Sequence, residues 1–170
     1  AAALIPNGAT IGFSGFTAAG SAKALPPAIA RRAQERHAKG EPYQVRVFTG
    51  ASTGPNFDDV LTEANAISFR APYQSSMALR KQINDQAVEF VDMHLSHVTQ
   101  HVYEGFYGSI DFAVVEATEV TRDGRAYLST SIGVSPTYLK KAKKIIFEIN
   151  RHHHPRLREM ADIAYLPPPP

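Results

Sequence analysis

Cysteine and tryptophan are both missing from this 170-residue chain. Without cysteine there is no disulfide, no thiolate zinc site and no cysteine nucleophile, a composition that fits a reducing compartment. Long apolar runs are missing too. No stretch approaches the roughly 20 residues that span a bilayer, and the opening AAALIPNG does not read as a secretory signal. Charge of one sign is equally scarce: 18 Lys and Arg against 16 Asp and Glu leave a formal net charge of +2. The basic residues are scattered, so neither nucleic acid nor a membrane is an expected partner. Their densest cluster, Lys140, Lys141, Lys143 and Lys144, falls where a helix is expected to end and complements its dipole. What is present is globular in character, with 44% hydrophobic and 20% charged residues, enough for one domain with its own core.

Apolar runs recur along the chain with helical patterns between them. Strands are expected at Ala9–Phe13, Val45–Thr49, Ala66–Phe69, Val88–Asp92, Phe112–Ala117, Ala126–Ser129 and Ile145–Ile149. Their near-continuous apolar character fits strands covered on both faces. Helices are expected at Leu25–His37, Phe57–Asn65, Ser75–Asn84 and Pro136–Lys143. The last is introduced by Ser135-Pro136, a hydroxyl cap followed by proline in the first turn. This alternation predicts an α/β layered domain with a largely parallel sheet flanked by helices. TRDGR, at 121–125, is the clearest hairpin-like turn and introduces antiparallel pairing. Pro167–Pro170 reads as the start of a stiff, extended spacer.

Chemistry-bearing residues collect where strands end. The first strand runs into GFSGFTAAG, Gly12 to Gly20, ahead of a helix. Such a loop lets backbone N–H groups approach a ligand, and a helix N-terminus favours negative charge. The glycine spacing is not a dinucleotide fingerprint, and no Lys-Ser/Thr follows the last glycine as in a Walker loop. TGASTGP, Thr49 to Pro55, follows the second strand. It reads either as a tight turn that needs small residues or as a pocket wall for an anionic or carbonyl group. FRAPYQSS, Phe69 to Ser76, follows the third strand. In a parallel sheet the carboxyl ends gather on one side, where ligands bind, so Phe16, Ser52 and Ser75 are expected to meet there.

Other features read as packing. His94, His97 and His101 align on one face if DMHLSHVTQHVYEG is helical. No carboxylate shares their spacing, so no metal site is expected. His152, His153 and His154 form a short tract able to bind metal only adventitiously. Tyr103, Phe106 and Tyr107 read as core or domain-interface residues.

Together these stretches resemble a known family. NGATIGFSGFTAAGSAK resembles the N-terminal signature of class I coenzyme A transferases. TGASTGP, FRAPYQS, FVDMHLSH, YGSIDFAVVEATEV and LPPPP resemble its acetyl-CoA hydrolase/transferase branch, which includes succinyl-CoA:acetate CoA-transferases. The motifs run in order over almost the whole chain. Two positions depart from the wider signature: Ser14 replaces the first glycine of a Gly-Gly-Phe, and Ala22 stands where proline is common.

The resemblance implies two similar α/β domains with the active site between them. Residues 1–166 match the first, and 167–170 begin a proline-rich interdomain linker. A glutamate of the second domain, absent from this chain, attacks the acyl-CoA thioester to give an acyl-glutamyl anhydride. The released CoA thiolate attacks that anhydride to form a glutamyl-CoA thioester, and a second carboxylate then takes over the CoA. The resemblance implies no cofactor, coenzyme A being a substrate, and no catalytic residue in this chain. Glu116 and Glu119 are therefore expected to be structural hydrogen-bond acceptors. The implied substrate-binding residues are Gly15, Phe16, Thr17, Ser52 and Ser75. Neutral hydroxyls orient a carboxylate without holding it too tightly for turnover. Implied partners are acyl-CoA, small carboxylates, the chain's own C-terminal domain and a second copy in a homodimer, in a cytoplasmic setting. Acetyl-CoA hydrolysis and a non-catalytic carboxylate-binding or assembly module of the same fold are the alternative readings.

Overall fold

A computed structural model describes residues 1–51 and 53–161. Among the described residues seven strands form one sheet: β1 (Thr10–Phe13), β2 (Val45–Phe48), β3 (Ile67–Ala71), β4 (Glu89–Phe90), β5 (Phe112–Val120), β6 (Ala126–Leu128) and β7 (Lys144–Ile149). Among the same residues five α-helices connect them: α1 (Leu25–His37), α2 (Asp58–Glu63), α3 (Met77–Asn84), α4 (Leu95–Glu104) and α5 (Ser135–Lys141). The parallel strands lie in the order β4-β3-β2-β1-β5-β7, and β6 runs antiparallel against β5. The expected α/β layered, largely parallel architecture is what forms.

The chain first moves outward from β1 through β2 and β3 to β4, then returns across the sheet to place β5 on the other side of β1. Right-handed crossovers put helices on opposite faces when the direction of travel reverses. Accordingly α1, α2 and α3 cover Ile11, Phe13, Val45, Val47 and Val114, while α4 and α5 cover Phe48, Phe69, Ala113 and Val115. The carboxyl ends of β1 and β5 thus flank a topological switch point, the usual crevice for a ligand in such sheets. Ala117 pairs with Leu128 of β6 and also with Ile149 of β7. The two therefore lie on opposite edges of β5, and β6 sits where β1 has ended, directly above the glycine loop.

Local differences from expectation have local causes. The helix expected at Phe57–Asn65 is shortened to Asp58–Glu63, with Asn65 in the left-handed region at φ 51°. β4 keeps only Glu89 and Phe90, the two residues with register partners on β3. Ser76 rather than Ser75 starts α3, accepting the Leu79 N–H at 3.0 Å as a side-chain cap. Ser135 does not cap α5: the backbone carbonyl of Val134 accepts from Thr137 and Tyr138, at 3.0 and 3.2 Å, and the buried Ser135 hydroxyl has no partner among the described residues. Lys140 and Lys141 do close α5, but Lys143 pairs with Asp111 and Lys144 opens β7. TRDGR makes the antiparallel β5–β6 turn, with Gly124 at φ 86°.

Gly12 shows how tightly the layers meet. A Cβ there would fall 2.4 Å from Cγ of Tyr138, whose ring is fully buried and whose hydroxyl donates to the Thr49 carbonyl at 2.9 Å. Gly12→Ala therefore overpacks a site that cannot yield without losing that hydrogen bond. We expect a loss of about 2–3 kcal/mol, read as a lower urea midpoint with an unchanged m-value.

Candidate functional site

Three loops at the carboxyl edge are positioned by buried polar contacts. Arg70, at the end of β3, is fully buried and pairs with the equally buried Asp58 of α2. Its Nε donates to Oδ1 at 2.8 Å and Nη2 to Oδ2 at 3.2 Å, a bidentate geometry. Nη1 donates to Thr49 Oγ1 at 2.9 Å and to the Ala71 carbonyl at 2.6 Å. Thr49 Oγ1 in turn donates a hydrogen bond to the Ala51 carbonyl, and Thr53 Oγ1 lies 3.5 Å from Asp58 Oδ2. Two hydroxyls of TGASTGP are thus turned inward, holding the loop on the ion pair. Burial pushes the Tyr138 phenol above its usual pKa, against the opposing charge of Arg70.

Glycine backbones form the junction between loops. At Gly15, with φ 128°, a Cβ would lie 2.9 Å from Ser21 Cβ and 3.3 Å from Thr53 Cγ2. At Gly50 a Cβ would lie 2.8 Å from the Gly15 carbonyl oxygen and 3.7 Å from Gly133 Cα. Close approach of Gly15, Gly50 and Gly133 therefore requires the missing side chains. Beyond this junction the chain reverses over Phe16–Ala19, whose backbones exchange hydrogen bonds at 2.9 and 3.1 Å. Thr17 sits at the tip with φ 54°, a strained position for a β-branched residue. Phe16, 47% exposed, and Thr17 stand at the rim.

Two carboxylates, in register on neighbouring strands, organise the next edge. Glu148 of β7 accepts the N–H groups of Lys23, Ala24 and Leu25 at 2.6, 3.0 and 2.8 Å. The α1 N-terminus is thereby occupied from within the protein, satisfying its orphan donors and its dipole. Glu116 of β5 is buried and accepts from Lys23 Nζ at 2.7 Å, Ser129 Oγ at 2.5 Å and Asn150 Nδ2 at 2.7 Å. Burial alone would raise its pKa, but hydrogen bonds from Lys23, Ser129 and Asn150, together with the lysine charge, outweigh it and hold the carboxyl below its ordinary value. An open cleft of about 430 Å³ lies beside these groups, bordered also by Arg151 and His152.

The expected site residues are placed as follows. Gly15 lies buried in the glycine junction, with Phe16 and Thr17 at the rim beyond it. Ser75 is exposed beside the α3 cap at the end of β3. Ser52 lies outside the described residues, as do Pro167–Pro170. Glu116 is bound on every side by structural donors, and Glu119 pairs with Arg158 at 3.4 Å. His94, His97 and His101 follow one face of α4 with ring centroids 5.6 and 6.0 Å apart, and His101 packs on Phe106 and Tyr107. Tyr107 joins the core against Phe48 and Phe69, while Phe106 is mostly exposed. Two contributors went unseen in the sequence. The STSIG stretch, Ser129–Gly133, closes over the glycine loop through Ser131 Oγ and the Ala19 carbonyl at 2.8 Å; its own glycine and serines were the available signal. Gln74 is buried, with Oε1 lacking a partner among the described residues, beside Ser75 in FRAPYQSS.

Glycine junctions, hydroxyl loops and a switch point define a parallel α/β domain suited to a small polar ligand at its strand ends. The sequence profile of the acetyl-CoA hydrolase/transferase N-terminal domain family matches residues 1–166, and the chain belongs to that family. It is 55% identical over 170 residues to the propanoyl-CoA:succinate CoA transferase of Escherichia coli (strain K12), covering 100% of this chain and 35% of that protein. The succinyl-CoA:acetate CoA-transferase of Clostridium kluyveri is 38% identical over 170 residues, covering 100% of this chain and 31% of its own. The acetyl-CoA hydrolase of Schizosaccharomyces pombe is 36% identical over 178 residues, covering 99% and 34%. The chain thus spans about a third of the length of these relatives. Among solved structures, RipA from Yersinia pestis superposes with a TM-score of 0.67 at 22% identity, over 89% of this chain and 35% of that one. Glutaconate coenzyme A-transferase from Acidaminococcus fermentans gives 0.65 at 13% identity, over 86% and 65%. These likenesses show a coenzyme A transferase fold.

Two measurements check the electrostatics. Arg70→Met leaves Asp58 buried without its counter-charge, and a loss of about 3–5 kcal/mol is expected. Adding Asp58→Asn should recover part of it, as a urea titration of single and double variants will show. Glu116 and Asp111 both have lowered folded-state pKa values; for Asp111, burial is outweighed by Lys143 and the Thr10 N–H. Their contribution is complete above the unfolded carboxylate pKa, about 4.5 for glutamate, and is lost as pH falls through the lower folded values. Lys23→Met should flatten that acid limb in urea midpoints measured against pH.

Proposed function

We propose that this domain supplies the carboxylate- and acyl-facing side of the active site in an acyl-CoA:carboxylate coenzyme A transferase of the acetyl-CoA/succinyl-CoA type. The observation that carries the reading is 55% identity along the entire chain to a relative named as a propanoyl-CoA:succinate CoA transferase. Ser52 and Ser75, on the loops after β2 and β3, donate to the carboxylate as neutral hydroxyls. Phe16, at the rim after β1, shields the acyl group from water. The covalent steps fall to a glutamate on a following domain, so this chain's share is binding and orientation. A hydrolase reading has support of its own in the 36% identity to an acetyl-CoA hydrolase over 99% of the chain. There, water in place of a carboxylate resolves the glutamyl intermediate.

The test uses the full-length protein that contains this domain, given acetyl-CoA or propanoyl-CoA with and without succinate. Transfer of CoA to succinate is expected. Ser52→Ala and Ser75→Ala should each raise the succinate KM by about 10-fold or more, as befits a hydrogen bond to a charged group, with a smaller change in kcat. Thioester loss to water at an undiminished rate without any carboxylate acceptor would replace transferase by hydrolase. A succinate KM unmoved in both variants would reduce the two serines to turn residues.

A further inference from the structure

We propose that Glu116 is a positioning residue, whose carboxylate and backbone N–H together set the glycine loop and the Ser129–Gly133 loop in place at the substrate edge. The proposal rests on the reading of that edge as carboxylate-facing. The Glu116 carboxylate contacts Lys23, Ser129 and Asn150, and it acts through the loops these residues anchor.

The connections are direct. The Glu116 N–H donates to Ser14 Oγ at 2.9 Å, and Ser14 Oγ donates onward to the Gly20 carbonyl at 2.7 Å. One backbone group thus ties the start of the glycine loop to its end. The carboxylate takes Lys23, just past that loop, through Oε1, and Lys23 Nζ also donates to the Ser21 carbonyl at 2.8 Å. Through Oε2 it takes Ser129, the first residue of the loop after β6. Two residues on, Ser131 Oγ bonds the Ala19 carbonyl, and a Cβ at Gly20 would lie 2.5 Å from that hydroxyl. The same loop then reaches Gly133, in contact with Gly15 and Gly50. Asn150, after β7, closes the set.

The residue type argues for this role over plain packing. Most of β5 before it is buried apolar, Phe112 to Val115, and an apolar side chain at 116 would extend that core without burying a charge. It would also leave Lys23, Ser129 and Asn150 without their common acceptor. A buried charge kept at some cost is best understood as fixing one arrangement among several, a registry role. Glu148, its register partner, serves a separate task at the α1 N-terminus, and the half-exposed Glu119 lies outside the set.

The experiment compares full-length wild type with Glu116→Gln, Lys23→Met and, as control, Glu119→Gln, by amide hydrogen exchange and by succinate and acyl-CoA kinetics. Glu116→Gln keeps the shape and one acceptor oxygen, while Lys23→Met removes a single tie should the first variant fold poorly. Exchange at Ser14–Lys23 and Ser129–Gly133 should rise about 10-fold, with the core strands unchanged. The succinate KM should rise by a similar factor while kcat stays within about twofold. The control should match wild type. Loop exchange equal to wild type, exchange raised uniformly over the domain, or an unmoved succinate KM in an active enzyme would each overturn the role of Glu116. If wild type transfers CoA to no carboxylate, the transferase reading fails, and the exchange data alone still decide whether Glu116 holds the loops.

Discussion

The carboxyl edge of this domain depends on one buried ion pair. Arg70 and Asp58 are both excluded from solvent, and neither charge is tolerable there without the other. Arg70 also donates to Thr49 Oγ1 and to the Ala71 and Ala51 carbonyls, so the ends of β2 and β3 are locked to the start of α2. Tyr138 reaches the Thr49 carbonyl from the opposite helix layer. A loop fixed from both faces of the sheet is a stiff platform. That explains why TGASTGP is rich in hydroxyls: Thr49 and Thr53 stabilise the turn itself, leaving Ser52 as the hydroxyl of the stretch to which the proposed function gives the ligand.

The glycines divide in a similar way. Gly12 admits the Tyr138 ring, and Gly15 and Gly50 let two loop backbones touch, with Gly133 bringing a third. These are packing requirements before they are ligand-binding ones. The α1 N-terminus is also spoken for, because Glu148 accepts its first amides. A free helix end would add its dipole to any bound anion. With that end filled, the proposed carboxylate recognition falls to neutral hydroxyls. Weaker ground-state binding suits an exchange in which the same carboxylate must leave as readily as it arrives.

How much of this was legible in the sequence follows from the range of each interaction. Strand and helix patterning is local, and the buried runs VRVF and FAVVEA announced β2 and β5 at once. The α1 helix was placed to the residue, because Pro26 and Pro27 fix its first turn and its buried face repeats regularly. What stayed hidden was long-range. The cap on α1 comes from Glu148, 125 residues beyond Lys23, and the Ser14–Glu116 link spans 102. Ser135-Pro136 looked like a capped helix start, yet the Val134 carbonyl had already taken the amides that the hydroxyl would have bound. The STSIG loop carried serines and a glycine but no periodicity, and only the antiparallel placement of β6 brings it over the glycine loop.

Under the proposed function, binding and chemistry fall to different parts of the protein. In that reading the hydroxyl, glycine and aromatic groups at the strand ends orient a carboxylate, whereas the buried Glu116 is ion-paired with Lys23 and shared among three donors. A carboxylate so engaged is a poor nucleophile, because each hydrogen bond lowers the electron density an attack requires. Under the proposed function the attacking glutamate must be less encumbered and must approach from outside this sheet. An open edge binds a charged ligand weakly, since water competes for every donor. Covering that edge would strengthen the same contacts by excluding water. The stiffness contributed by Arg70 and by Glu116 matters most at that moment, because a preorganised wall loses little on closure while a loose one must first be ordered.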